Sequence, residues 1–248
     1  MTYLFRTIGS LLLLGLCSLS QHATAQDQVV EESRVVVESG RWHLVGDLLL
    51  PASEHALPAV LMLNQAAGDR TVYRDLAHQL AARGMASLRL DLRGHGESTN
   101  LGRFVPGERP RSPLIWDAEV DVIAAHDYLK AHPRIDGERI GIVGGSYSGE
   151  EMAEAGRANG YAQTYVALSP GSFSEESIRG IDDSGVGWLF IASKNDRYLQ
   201  EITAAVQAQS KTVELVVVPG TEHATDILET HPEMAERIAV WLAQQFRE

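Results

Sequence analysis

From Pro58 onward the sequence alternates short apolar runs with stretches of helical periodicity, and this alternation restricts the fold more than any other feature. Ala59 to Leu63, Ala86 to Asp91, Arg139 to Val143, Tyr165 to Leu168, Trp188 to Ala192 and Val213 to Val218 each have the length of a strand. The most apolar of them suit strands covered on both faces. Between them, Tyr73 to Arg83 carries Leu76, Ala77 and Leu80 at helical spacing and stops at Gly84. Pro113 precedes a second helix with Trp116, Val120, Ile123, Ala124 and Tyr128 on one face. Tyr147 to Asn159 and Leu199 to Gln209 read as further helices, and the last helix sets Met234, Ile238, Trp241 and Leu242 on one stripe. Upstream, Arg34 to Glu38 and His43 to Leu50 are strand-like runs parted by Ser39-Gly40, a hairpin signal. The pattern predicts an α/β fold: a mostly parallel central sheet with an N-terminal hairpin and helices on both faces.

The first 25 residues follow other rules. Arg6 precedes the apolar run Ile8 to Leu16, and Ala23-Thr24-Ala25 fits an A-x-A cleavage site, so residues 1–25 read as a secretory signal peptide cut before Gln26. The run falls short of the roughly 20 residues that a membrane-spanning helix requires. A lipoprotein reading at Cys17 is disfavoured because the preceding Leu16 is large. Cleavage removes Cys17, the only cysteine, so the mature chain has no thiolate chemistry, disulfide or cysteine-based metal site. No internal repeat or linker divides the remainder, and residues 26–248 are expected to form a single exported domain, periplasmic or secreted. The net charge of -12 repels phosphate backbones and argues against nucleic-acid partners.

Chemistry concentrates at Gly144-Gly145-Ser146-Tyr147-Ser148, between the apolar strand ending at Val143 and the helix from Tyr147. A serine on such a strand-to-helix turn projects its hydroxyl at the carboxyl edge of the sheet, with small neighbours letting the helix pass close to adjoining strands. The Tyr147 N–H and the positive helix end face any oxyanion formed beside it. Ser146 is therefore the candidate nucleophile.

A serine needs a base. His223 follows Val213–Val218 in Pro219-Gly220-Thr221-Glu222-His223, at the edge that also carries Ser146. His95 competes, but its Gly94-His95-Gly96 turn favours a structural role; His126 and His132 belong to or flank a surface helix, and His231 begins one. The base in turn needs a carboxylate. Asp196 follows Trp188–Ala192 in Ser193-Lys194-Asn195-Asp196, giving the chain order Ser146, Asp196, His223. Asp182 and Asp183 lie in a polar loop, and Asp226 is too near His223 in sequence to come from a separate strand end.

These residues, with Asp91-Leu92-Arg93-Gly94-His95-Gly96-Glu97-Ser98 and Asn195-Asp196, resemble the α/β-hydrolase superfamily, particularly its small dienelactone-hydrolase-like or serine-aminopeptidase-like bacterial members. The similarity runs from about Val35 to Phe246. It implies an oxyanion hole made by the backbone N–H groups of Tyr147 and Ala66, with Gln65 the other candidate. The family usually carries His-Gly where this chain has Asn64-Gln65, and glutamine adopts a positive φ less readily than glycine, so a reshaped loop is expected. Ser148 stands where glycine is commoner.

Ser169 to Gly187 is too short for a large cap domain, so an open cleft is expected, bordered by residues 99–115 and 169–187. Arg103, Arg109 and Arg111 either attract an anionic substrate or are solvated loop residues, the latter being the commoner case. The implied activity is hydrolysis of a carboxylic ester through an acyl-enzyme on a small acyl substrate. Thioester and amide bonds, an aminopeptidase-like role and a non-catalytic binding module remain alternatives. No H-E-x-x-H or G-x-G-x-x-G pattern stands in a context that implies a metal or organic cofactor.

Overall fold

The computed structural model describes residues 30–107, 113–171, 173–197, 199, 202, 204, 206, 208 and 213–247. The expected signal peptide, Arg109, Arg111 and much of the expected helix 199–209 lie outside the described residues. Eight strands form one sheet in the order β1-β2-β4-β3-β5-β6-β7-β8. β1 (Val30–Ser39) and β2 (Trp42–Pro51) make the expected hairpin, and β2 also runs antiparallel to β4 (Ala86–Leu90). β3 (Leu57–Leu63), β4, β5 (Ile135–Gly145), β6 (Thr164–Leu168), β7 (Gly187–Ser193) and β8 (Val213–Val218) run parallel to one another.

Parallel strands in the centre need cover on both faces, and alternation along each strand divides the apolar residues between two cores. Leu61, Leu88, Ile142, Tyr165 and Trp188 face one core, with Val122 and Leu129 of α3 (Glu119–Ala131) and Met152 of α4 (Tyr147–Asn159). Val60, Met62, Val143, Val166 and Leu189 face the other, against α1 (Arg74–Ala81) and the terminal helix. Further helices among the described residues are α2 (Pro113–Trp116), α5 (Glu175–Ser184), α6 (Asp226–Thr230) and the terminal α7 (Glu233–Gln245). The four residues expected on the α7 stripe are all buried. In the β6–β7 connection only the ten-residue α5 stands where a cap domain would be inserted.

The helix after Pro113 departs from expectation. Trp116 ends the short α2, and α3 begins separately at Glu119, so the two do not share one helical face. Trp116 and Val120 are each 43% exposed. The buried stripe is Asp121, Val122, Ala125 and Leu129. Asp121 occupies an inward position because Arg93 reaches it: Arg93 donates from Nε at 2.9 Å, from Nη2 at 2.6 Å and from its backbone N–H at 3.0 Å. A buried carboxylate is tolerable only when paired and hydrogen-bonded in this way. Ile123, Ala124 and Tyr128 of the expected face still pack partly buried against the core, but its buried centre shifts to include an ion pair whose other half lies 28 residues upstream.

Candidate active site

Ser146 sits between β5 and α4 with φ 56° and ψ -122°, a conformation costly for a residue with a side chain and held by its surroundings. Its N–H donates to the Leu168 carbonyl at 3.0 Å, and its own carbonyl accepts from Gly149 and Gly171. Two glycines permit the turn. A Cβ on Gly144 would meet the Ser148 carbonyl oxygen at 2.9 Å, and one on Gly145 would meet Thr225 Cγ2 at 3.0 Å. Ser148 contributes more than small size: its hydroxyl accepts from the Gly145 N–H at 2.8 Å and donates to the Gly145 carbonyl at 2.9 Å, bracing the elbow.

The three strand ends expected to meet do meet. His223 Nε2 lies 2.9 Å from Ser146 Oγ, and Nδ1 lies 2.8 Å from Asp196 Oδ2. With the proton on Nδ1, held by the carboxylate, Nε2 is the acceptor for the serine hydroxyl. The Asp196 side chain is 2% exposed and that of His223 30% exposed, so the carboxylate is shielded while the imidazole borders solvent. The loops carrying the pair are joined to each other: Asn195 N–H donates to the Gly220 carbonyl at 3.0 Å, and Lys194 N–H to that of Val218 at 2.8 Å.

The other candidates lie in different surroundings. His95 is buried, with Nδ1 2.9 Å from the Arg93 carbonyl and its ring stacked between Phe104 and Tyr147. Burial pushes its pKa below the ordinary histidine value, partly offset by the Arg93 carbonyl and the nearby Asp121. His231 Nε2 approaches the Pro219 carbonyl, and His126 and His132 stand on or just after α3. Asp182 and Asp183 are exposed in α5, Arg103 is exposed, and Asp226 opens α6.

After β3 the chain turns through Asn64-Gln65-Ala66-Ala67-Gly68, with the Gly68 N–H donating to the Gln65 carbonyl at 3.0 Å. The left-handed residue is Ala67, φ 61°, rather than Gln65. Asn64 braces the turn, accepting from the Leu92 N–H at 2.8 Å and donating to the Gln65 carbonyl at 2.9 Å. Ala66 packs partly buried against the core. Tyr147 begins α4, so its N–H belongs to the first turn, where no intrahelical acceptor is available.

Sequence reasoning missed Gly171. A Cβ there would lie 3.6 Å from Ser146 Oγ and 3.7 Å from Tyr147 N, so this glycine borders the space in front of the hydroxyl. Its signal was the Pro170-Gly171 pair directly after a strand, a turn marker that does not by itself identify its neighbour. The adjoining α5 is fastened to α4 through Glu150, whose Oε1 accepts from the Ser174 N–H at 2.9 Å and the Ser177 hydroxyl at 3.3 Å.

Among the described residues, Glu119, Glu151 and Glu154 are spaced to share a cation, with ligand atoms within 4.8 Å of one another. Glu151 is 1% exposed. Burial, then the charges of Glu154 and Glu119, push its pKa up to about 9, offset in part by the Glu119 backbone N–H. A retained proton therefore relieves the repulsion in this cluster. Among the described residues no helix is long and apolar enough to cross a membrane.

Residues 40–175 match the family model described as X-Pro dipeptidyl-peptidase (S15 family). No curated protein matches the chain. Among solved structures, the chain is similar to a 2,6-dihydroxy-pseudo-oxynicotine hydrolase, at 16% identity and a TM-score of 0.69, over 88% of this chain and 68% of that one. A dienelactone hydrolase from Anabaena variabilis matches at 20% identity and a TM-score of 0.66, over 88% and 97% of the two chains. An esterase from Pyrococcus furiosus matches at 18% identity and a TM-score of 0.68, over 86% and 92%. These likenesses bear out the α/β-hydrolase fold expected from the sequence.

Proposed function

Because the chain belongs to the X-Pro dipeptidyl-peptidase (S15) family of α/β hydrolases, we propose that it is a serine hydrolase that cleaves carboxylic esters through Ser146, His223 and Asp196. The observation that carries this reading is the continuous relay, 2.9 Å from hydroxyl to imidazole and 2.8 Å from imidazole to carboxylate. Ser146 Oγ attacks the acyl carbonyl as its proton passes to His223 Nε2, and Asp196 stabilises the imidazolium. The oxyanion accepts hydrogen bonds from the Tyr147 and Ala66 N–H groups. Collapse breaks the bond to the leaving oxygen, which takes the proton from His223. Water, deprotonated by His223, then attacks the acyl-serine; collapse breaks the bond to Ser146 Oγ, which takes that proton back from His223 as the acid is released. The short β6–β7 connection and Gly171 favour an open site for small acyl groups. Residues 1–25, read as a signal peptide, support export of the remaining single domain.

A second reading, amide cleavage after proline or at an amino terminus, is favoured by the family match itself. The two separate on a panel of p-nitrophenyl esters, X-Pro p-nitroanilides and aminoacyl anilides with purified protein. Short-chain esters are expected to be turned over with the highest kcat/KM, and Ser146→Ala is expected to abolish that turnover. Preference for X-Pro anilides would reverse the substrate assignment while keeping the triad.

A further inference from the structure

The Gln65 side chain crosses a gap of 161 residues in sequence to reach the segment that follows His223. Its Nε2 donates to Asp226 Oδ1 at 3.0 Å, and its Oε1 accepts from the Thr225 N–H at 3.1 Å. Both partners are tied closely to the histidine: the Asp226 N–H donates to the His223 carbonyl at 3.1 Å, and between them Ala224 takes φ 50°. The Ala224-Thr225 turn is itself buried and packed against Gly145, the residue before Ser146. One side-chain amide thus joins the turn after β3 to the loop bearing His223, and that loop packs in turn against the elbow bearing Ser146. A carboxamide alone among residues of this length offers a donor and an acceptor at one end. A glutamate would set two carboxylates face to face, and leucine would leave Thr225 N–H and Asp226 without these bonds.

We propose that Gln65 is a positioning residue that fixes the turn bearing the Ala66 N–H against the loop bearing His223, so that oxyanion donor and base keep one mutual geometry. This rests on the reading of Ser146 and His223 as catalytic. It assigns to Gln65, which stands where the family usually has the glycine of His-Gly, a role through its side chain, in addition to its backbone. Because the clamp sets relative position and adds no contact to substrate, its loss falls on kcat more than on KM.

The test is a polarity swap. Gln65→Glu keeps the acceptor for Thr225 but opposes Asp226, and it is expected to lower kcat about 10- to 100-fold, with KM changed far less. Gln65→Glu combined with Asp226→Asn restores a donor facing an acceptor, now in the reverse sense, and is expected to recover most of that loss. Melting temperatures measured in parallel separate a folding defect from misplacement, since the swap must restore kcat among variants of equal stability. A Gln65→Glu enzyme as fast as wild type, or a folded double variant as slow as the single one, would overturn the clamp. Ser146→Ala is assayed alongside. If it stays active, the catalytic reading fails and the clamp fails with it; if it is inactive while Gln65→Glu is unaffected, the clamp alone fails.

Discussion

The carboxyl edge of the sheet holds two histidine-bearing turns that look alike in sequence and differ in what closes around them. In the turn after β4, every charge is answered from within. Asp91 is fully buried and accepts from the Arg70 guanidinium and from the Arg70 and Glu97 N–H groups. Arg70 also binds Asp47, and Arg93 binds Asp121. His95 is stacked between two rings and burial disfavours its protonation. In the turn after β8, His223 has a buried carboxylate on one nitrogen, a serine hydroxyl on the other, and an edge open to solvent. The first arrangement uses its polar groups to hold the chain. The second leaves a Ser–His–Asp hydrogen-bonded chain whose imidazole borders solvent, as the proposed general-base role requires.

The sharpest way to break this division is to remove one carboxylate from each side. Asp196→Asn is expected to lower kcat by about 10³- to 10⁴-fold, because the imidazole loses the partner that sets its tautomer, with little change in melting temperature. Asp121→Asn leaves the buried Arg93 without its counter-charge and is expected to cost roughly 3–5 kcal/mol of stability, while the folded enzyme turns over near the wild-type rate. Denaturant unfolding and steady-state kinetics on both variants check the pair. An Asp121→Asn enzyme as slow as Asp196→Asn would erase the distinction.

A smaller effect concerns Glu151, in the second turn of the helix that begins beside Ser146. The folded chain holds its proton up to about pH 9, against the ordinary glutamate value of 4.5. Between those values the folded state binds more protons than the unfolded state, so this group's contribution to stability is full below about pH 4.5 and falls as pH rises through the interval, by at most about 1.4 kcal/mol per pH unit. Glu151→Gln removes that slope. Its melting temperature is expected to exceed that of wild type at pH 8, and the difference is expected to shrink as pH falls towards about 4.5. Parallel melting curves across that range would show that Glu151 is not protonated in the fold.

Much of this was legible because strand ends are local signals. Each of Ser146, Asp196 and His223 follows a short apolar run, and the parallel order of those runs carries their ends to one edge. What escaped was non-local. Val120, expected on the apolar face, is exposed while the adjacent Asp121 is buried, because Arg93, on another element, supplies the charge that allows an inward aspartate. The loop expected to be reshaped at Gln65 has its left-handed residue at Ala67, because the tight turn closes between Gln65 and Gly68. Gln65 and Ser148 were read for backbone and size, yet the hydrogen bonds of their side chains brace the turn and the elbow, and no spacing rule anticipates a partner 161 residues away.

The central claim is that Ser146 is the activated nucleophile, and covalent labelling tests it most directly. A fluorophosphonate probe incubated with the native protein, followed by peptide mass spectrometry, is expected to add once, at Ser146, and to leave Ser146→Ala unlabelled. Equal labelling of the two proteins, or an adduct on another residue in the wild type, would contradict the account.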